Sequence, residues 1–212
     1  MAQGVSVGPL CTIGPSAKLG NGCQMHPSSH IFGNTKLGSH CVLMTGAVVG
    51  DDLPGRTVIG CNNIIGHHAV VGIKCQDMKY KLGDECFLDI GDNNEIREFT
   101  SIHRSSKSCD RTVIGDNNLI MGSCHIAHDC KIGNNNICAN SSLLAGHVIV
   151  EIWEAFLLYV PCSGPFVILL LKIVVEYANS DNGAVLESIA RIFYMTTVAF
   201  LSFVLYLWHV PA

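Results

Sequence analysis

Aliphatic residues return at every sixth position through most of the first 150 residues. Val7, Ile13, Leu19, Met25, Ile31, Leu37, Leu43 and Val49 form one unbroken series. The series resumes in a shifted register at Ile59, Ile65 and Val71. It shifts once more and runs through Ile90, Ile96, Ile102, Ile114, Ile120, Ile126, Ile132, Cys138, Leu144 and Val150, with Ser108 the one polar residue on the count. A period of six matches neither an amphipathic helix nor a half-buried strand. It predicts an all-β solenoid over residues 1–150, each hexapeptide giving one short strand and one corner, and three hexapeptides closing a triangular coil.

In such a coil the aliphatic residue points inward, and the small residue four positions later, as at Ala17, Ser123 and Cys130, shares the interior. Glycine and asparagine tolerate the corner conformations that β-branched residues resist, so 91–94, 115–118 and 133–136 read as corners. Two insertions break the register, at 50–58 and 73–89. Loops thrown out of a solenoid tend to cover one face, often the binding face.

The pattern ends at Glu151. Residues 151–212 hold two glycines, Gly164 and Gly183, out of 21, and one histidine out of ten. Two uncharged stretches, 155–171 and 192–210, dominate this segment. It is expected to be a separate, atypical apolar and helical tail: sequence read through from an intron, a membrane anchor through 192–210, or a helical cap on the coil.

Composition narrows the function classes. Only 14% of residues are charged and the formal net charge is −4. Arg97, Arg104 and Lys107 form the main basic group, too small a footprint for a nucleic-acid partner. The eleven cysteines are scattered singly with no CxxC pair, and several fall where the repeat calls for a small inward residue. They read as reduced thiols in a cytosol-like compartment, the cytoplasm or an organelle matrix equally reducing.

The segment LIMGSCHIAHDCKIGNNNICANSSLLAGHVIV, residues 119–150, closely resembles the core of the acyl-carrier-protein-dependent UDP-N-acetylglucosamine O-acyltransferases. IGHHAVVG (65–72), CQDMKY (75–80), IGDNNEIRE (90–98) and SIHR (101–104) agree with it. The resemblance implies a left-handed parallel β-helix, assembled as a homotrimer with active sites between subunits. It implies transfer of a 3-hydroxyacyl chain from acyl carrier protein to the sugar 3-hydroxyl of UDP-N-acetylglucosamine, at the start of lipid A biosynthesis, with no cofactor. By the motif match, His128 is the general base, Asp129 steadies it, and Gly146 offers its N–H to the oxyanion. Asp77, Lys79, His103, His125 and His147 contact substrate. Relatives continue past LAGHV with further coils and a helical domain, so a truncated or spliced form with impaired activity is expected here. Plant-type relatives are mitochondrial.

Part of this constellation follows from the register alone. His128 and Gly146 each lie two residues past an inward side chain, Ile126 and Leu144, one coil apart. They should stack, an imidazole below a bare amide, which is the pairing that acyl transfer uses. Two other classes compete: a non-catalytic β-helix subunit or a tail-tethered isoform, and a zinc-dependent β-helix carbonic anhydrase. The spacing of His125, His128 and His147 does not obviously converge on a metal.

Overall fold

The computed structural model describes residues 2–78 and 80–152. Lys79, the 192–210 stretch and the rest of the tail from 153 onward lie outside the described residues. Twenty-one short strands alternate strictly among three seven-stranded parallel sheets. The three sheets are the faces of a triangular prism wound as a left-handed parallel β-helix of seven coils. Face one begins at Ser6–Val7, face two at Thr12–Ile13 and face three at Lys18–Leu19.

The ladder register fixes the interior. Each inward aliphatic residue lies above its equivalent in the coil below: Ile65 pairs with Leu43 and Ile96, Ile102 with Val71 and Ile126, and Ile114 with Ile90 and Ile132. Ile31, Leu43, Val49, Ile65, Val71, Ile96, Ile102 and Ile120 have no solvent exposure. Parallel strands stack about 4.8 Å apart, close enough for aliphatic side chains in one column to pack directly on one another. The prism is therefore a set of stacked apolar columns.

The small interior position behaves as expected, with one correction. Cys130 is buried and Ala17 packs against the core, but Ser123 is an exposed corner residue with φ 59°. The inward residue of that hexapeptide is its neighbour Cys124. Cysteine suits this place because its thiol reaches a carbonyl of the next coil: Cys23 to Gly38, Cys41 to Gly60, Cys124 to Ala139 and Cys130 to Ala145, at 3.0–3.1 Å. The ten described cysteines are free thiols.

At the corner leading from face three to face one, the same position turns from cysteine to asparagine. Asn63, Asn94, Asn118 and Asn136 form a buried ladder. The Asn94 side-chain amide donates to Asn63 Oδ1 at 3.0 Å and that of Asn118 to Asn94 Oδ1 at 2.9 Å. Those oxygens also accept the backbone N–H of the residue above. The corner residues Asn62, Asn93, Asn117 and Asn135 adopt left-handed φ of 57–60°, which asparagine tolerates well.

The insertions all leave from one edge, between faces two and three. The first two lie where the sequence placed them. A third was hidden: Ile102 and Ile114 are successive inward residues of one coil, so Ser108 is no hexapeptide position but the tip of an excursion from 103 to 111. Ser101 consequently lies 24 residues before its neighbour His125, where an undisturbed coil spans 18. An excursion of this length leaves a count of six intact. The last described strand, Ile149–Ile152, pairs through to Asn134, so the coil runs two residues past the boundary drawn at 150.

Replacing Asn94 by alanine removes an acceptor that serves two donors of Asn118 inside the prism. A loss of about 2–4 kcal/mol in urea unfolding is expected, against less than about 1 kcal/mol for Asn93→Ala at the neighbouring exposed corner.

Candidate active site

Three excursions from one edge enclose a set of polar side chains that the coils alone would leave exposed. Arg104 ties them together. It has no solvent exposure, and its guanidinium donates to Thr57 Oγ1 at 3.0 Å, the Leu53 carbonyl at 3.2 Å and the Asp51 carbonyl at 3.0 Å. Its backbone N–H donates to the Ile73 carbonyl. One side chain thus joins the root of the third excursion to the first, and its main chain joins it to the second. Burial pulls the Arg104 pKa down, while the nearby Asp51 carboxylate opposes that shift.

The third excursion then folds back over the corner above it. Ser105 N donates to the Phe87 carbonyl, and Ser105 Oγ accepts from Phe87 N at 2.9 Å. Asp110 closes the loop through an ion pair with Lys131 at 2.7 Å. Held at both ends, the loop brings Ser106 against Asp129, a carboxylate whose side chain is fully buried. Asp129 receives the Ser106 N–H at 3.1 and 3.2 Å and the Ser106 hydroxyl at 2.6 Å.

The remaining bond to Asp129 comes from His128, whose Nδ1 lies 2.8 Å from Oδ2. Adjacent residues seldom bond this way. Here Asp129 has φ 62°, and that left-handed turn swings the carboxylate back under the preceding imidazole. Its own N–H donates to Thr112 Oγ1 at 2.8 Å. Since an ionised carboxylate only accepts, Nδ1 must carry the proton, which leaves the Nε2 lone pair of neutral His128 available as a base.

Gly146 lies over this imidazole, as the register predicts. The His147 N–H donates to the His128 carbonyl at 3.0 Å, and a Cβ built on Gly146 would come within 2.5 Å of His128 Cε1 and 2.7 Å of Nε2. Any larger residue would have to push the imidazole aside. Among the described residues the Gly146 N–H has no acceptor, so it is free to meet a developing negative charge.

The other predicted residues divide. His103 and His125 meet edge to face at 5.0 Å, and His125 Nδ1 is 2.8 Å from Ser101 Oγ. His103 is buried, and burial, helped by the neighbouring His125, pushes its pKa down to about 4. Burial also lowers the His125 pKa. His147 is exposed and meets His128 edge to face at 5.2 Å. Asp77 lies half-buried on the second excursion, and Lys79 is not among the described residues. His68, in contrast, stacks on Phe99 at a different corner. Ser106, Arg104 and Thr112 were not foreseen as site residues. Arg104 was noted only within a motif and as part of a small basic group, and no local signal marks the other two.

His128, Asp129 and His147 place three possible metal ligands within 4.8 Å of one another, a convergence that the spacing had not suggested. The donor set is nevertheless committed elsewhere. The Asp129 carboxylate already accepts three protons, from Ser106 N, Ser106 Oγ and His128 Nδ1, and His147 Nε2 stands 3.7 Å off. That arrangement aims an imidazole.

Comparison with known proteins places this site in context. Residues 111–149 match the model of the bacterial transferase hexapeptide (six repeats) family. An Arabidopsis thaliana protein named as a probable mitochondrial acyl-[acyl-carrier-protein]–UDP-N-acetylglucosamine O-acyltransferase is 80% identical over 127 residues, 60% of this chain and 38% of that one. The crystal structure of the Arabidopsis UDP-N-acetylglucosamine acyltransferase superposes with TM-score 0.71 at 80% identity, over 71% of this chain and 52% of that one. This chain is a relative of the UDP-N-acetylglucosamine O-acyltransferases. The corresponding enzyme of Thermodesulfovibrio yellowstonii is 43% identical over 69% of this chain and 48% of its own. The Francisella novicida acyltransferase superposes with TM-score 0.63 at 36% identity, over 71% and 52% of the two chains. The chain thus spans less than half the length of these curated acyltransferases.

Two outcomes follow. Gly146→Ala should displace the His128 ring and alter its NMR signals without unfolding the coil, because the added methyl meets the imidazole and not the core. His103, with its pKa depressed to about 4, binds its proton more readily in the unfolded chain. Stability should therefore be full above about pH 6.5, fall as the pH drops towards 4, and lose about 3 kcal/mol at most through this group. His103→Gln should flatten that dependence in urea titrations at successive pH values.

Proposed function

We propose that this chain supplies the acid–base and oxyanion groups of an acyl transfer from an acyl carrier protein thioester to the 3-hydroxyl of UDP-N-acetylglucosamine. The observation that carries the reading is the stacking of Gly146 on an imidazole whose Nδ1 is held by a buried carboxylate. His128 Nε2 takes the proton of the sugar hydroxyl as its oxygen attacks the thioester carbon. The Gly146 N–H receives the oxyanion of the tetrahedral intermediate. When the carbon–sulfur bond breaks, the imidazolium returns the proton to the departing thiolate, leaving an ester on the sugar and a free carrier thiol.

Every electron pair in this sequence is moved by the thioester and one imidazole, so the reaction calls for no resident cofactor. His103 and His125, kept neutral by burial, suit hydrogen bonding to substrate better than charge pairing, and Asp77, Lys79 and His147 complete the substrate-binding set. The names of the relatives supply the two substrates. The Arabidopsis relative is named as mitochondrial, which favours an organelle matrix over the cytoplasm as the compartment. A homotrimer with the site between copies accounts for an edge that is open on one side. A non-catalytic β-helix subunit is the competing reading.

The test is turnover of a 3-hydroxyacyl carrier thioester with UDP-N-acetylglucosamine. His128→Ala should lower kcat by about 10²–10⁴, with an unchanged unfolding midpoint and a trimer by sedimentation equilibrium. Equal turnover by the variant would sink the base assignment, and no turnover by either protein would favour the non-catalytic subunit.

A further inference from the structure

We infer that Ser106 is a positioning residue that holds the Asp129–His128 pair in its working tautomer, and that Arg104 is the buried strut that keeps Ser106 in place. This inference rests on the acyl-transfer reading for its kinetic meaning but not for its structural one.

A carboxylate can steer an imidazole only if the carboxylate is itself immobile. Asp129 offers four lone-pair directions, and His128 Nδ1 takes one. Left alone, the short Asp129 side chain could rotate and present either oxygen, or neither. Ser106 removes that freedom. Its N–H bridges both oxygens at 3.1 and 3.2 Å, and its hydroxyl donates to Oδ2 at 2.6 Å. Oδ2 is the oxygen that His128 uses. Both partners are buried, Ser106 at 1% and Asp129 at 2% exposure, where a charge-assisted hydrogen bond is stronger than in water.

Ser106 stands 23 residues before Asp129, on a loop that no strand holds in register. Beside the Ser105–Phe87 bonds and the Asp110–Lys131 ion pair, what fixes it is the residue two positions earlier. Arg104 spends its guanidinium on two carbonyls and a hydroxyl of the first excursion. With no carboxylate bonded to it among the described residues, this buried cation works as a multiple donor, and the acceptors it needs lie on another loop. The chain of support therefore runs from Asp51, Leu53 and Thr57 through Arg104 to Ser106, and from there to Asp129 and His128.

The variants are Ser106→Ala, which deletes the hydroxyl donor, and Ser106→Thr, which keeps it. Two readouts are needed. The first is ¹⁵N NMR of the His128 ring across pH. The groups facing that ring and its carboxylate are Asp129, His147 and His103, with the Cys75, Cys86 and Cys130 thiols nearby. In the wild type the neutral ring should be the Nδ1–H tautomer. Ser106→Ala should give a mixture of tautomers, because a carboxylate with one donor fewer no longer presents a fixed oxygen to Nδ1. Ser106→Thr should restore the wild-type signals. The second readout is steady-state turnover, where Ser106→Ala should lose roughly tenfold in kcat with little change in KM. Arg104→Met should move the ring signals in the same direction as Ser106→Ala.

A folded Ser106→Ala protein with the wild-type tautomer would overturn the inference, whatever its thermal midpoint. Altered ring signals with no acyl transfer by any version would leave Ser106 in its positioning role and remove the acyl-transfer reading instead.

Discussion

Everything at this site depends on the parallel ladder that stacks one coil on the next. Backbone hydrogen bonds fix the rise at about one strand spacing, and the inward aliphatic columns fix rotation about the axis. With both degrees of freedom used up, a side chain two residues past Ile126 and a backbone two residues past Leu144 have no choice but to meet. The closeness of His128 to Gly146 is a by-product of coil geometry. The chemistry requires only that the upper position carry no side chain.

The coil cannot by itself make an enclosed site, since its faces are flat and its corners point outward. Enclosure comes from three excursions leaving one edge. Within them the polar interior is satisfied donor by donor, with Arg104 serving two carbonyls and a hydroxyl, and Ser106 serving a carboxylate. Leaving such groups unpaired in a buried place would cost about 1–3 kcal/mol each. The loops and the edge therefore stabilise one another, and the same bonds that hold the loops down also aim the imidazole.

Burial sets the electrostatic character of the edge. His103 and His125 are pushed towards neutrality by desolvation, whereas His128 is bonded to the Asp129 carboxylate. Imidazoles on one edge thus meet different surroundings, two held towards neutrality by burial and one bonded to a carboxylate.

The sequence by itself determined the prism, the inward columns, the corners and the vertical neighbour of His128. All of these follow from a period that repeats on the scale of local structure. Resemblance added the roles expected of Asp129, His103 and His125, which spacing alone does not carry. It could not show the third excursion, because a loop that preserves a count of six is invisible to counting, and Ser108 passed as a broken repeat. Nor could it distinguish Ser123 from Cys124 as the inward residue, a slip of one position that only the fold resolves. Ser106, Arg104 and Thr112 were decided by tertiary structure alone. Their partners lie 17 to 53 residues away, on loops whose paths are set by hydrogen bonds to one another, and nothing in the local pattern encodes a contact between two irregular segments.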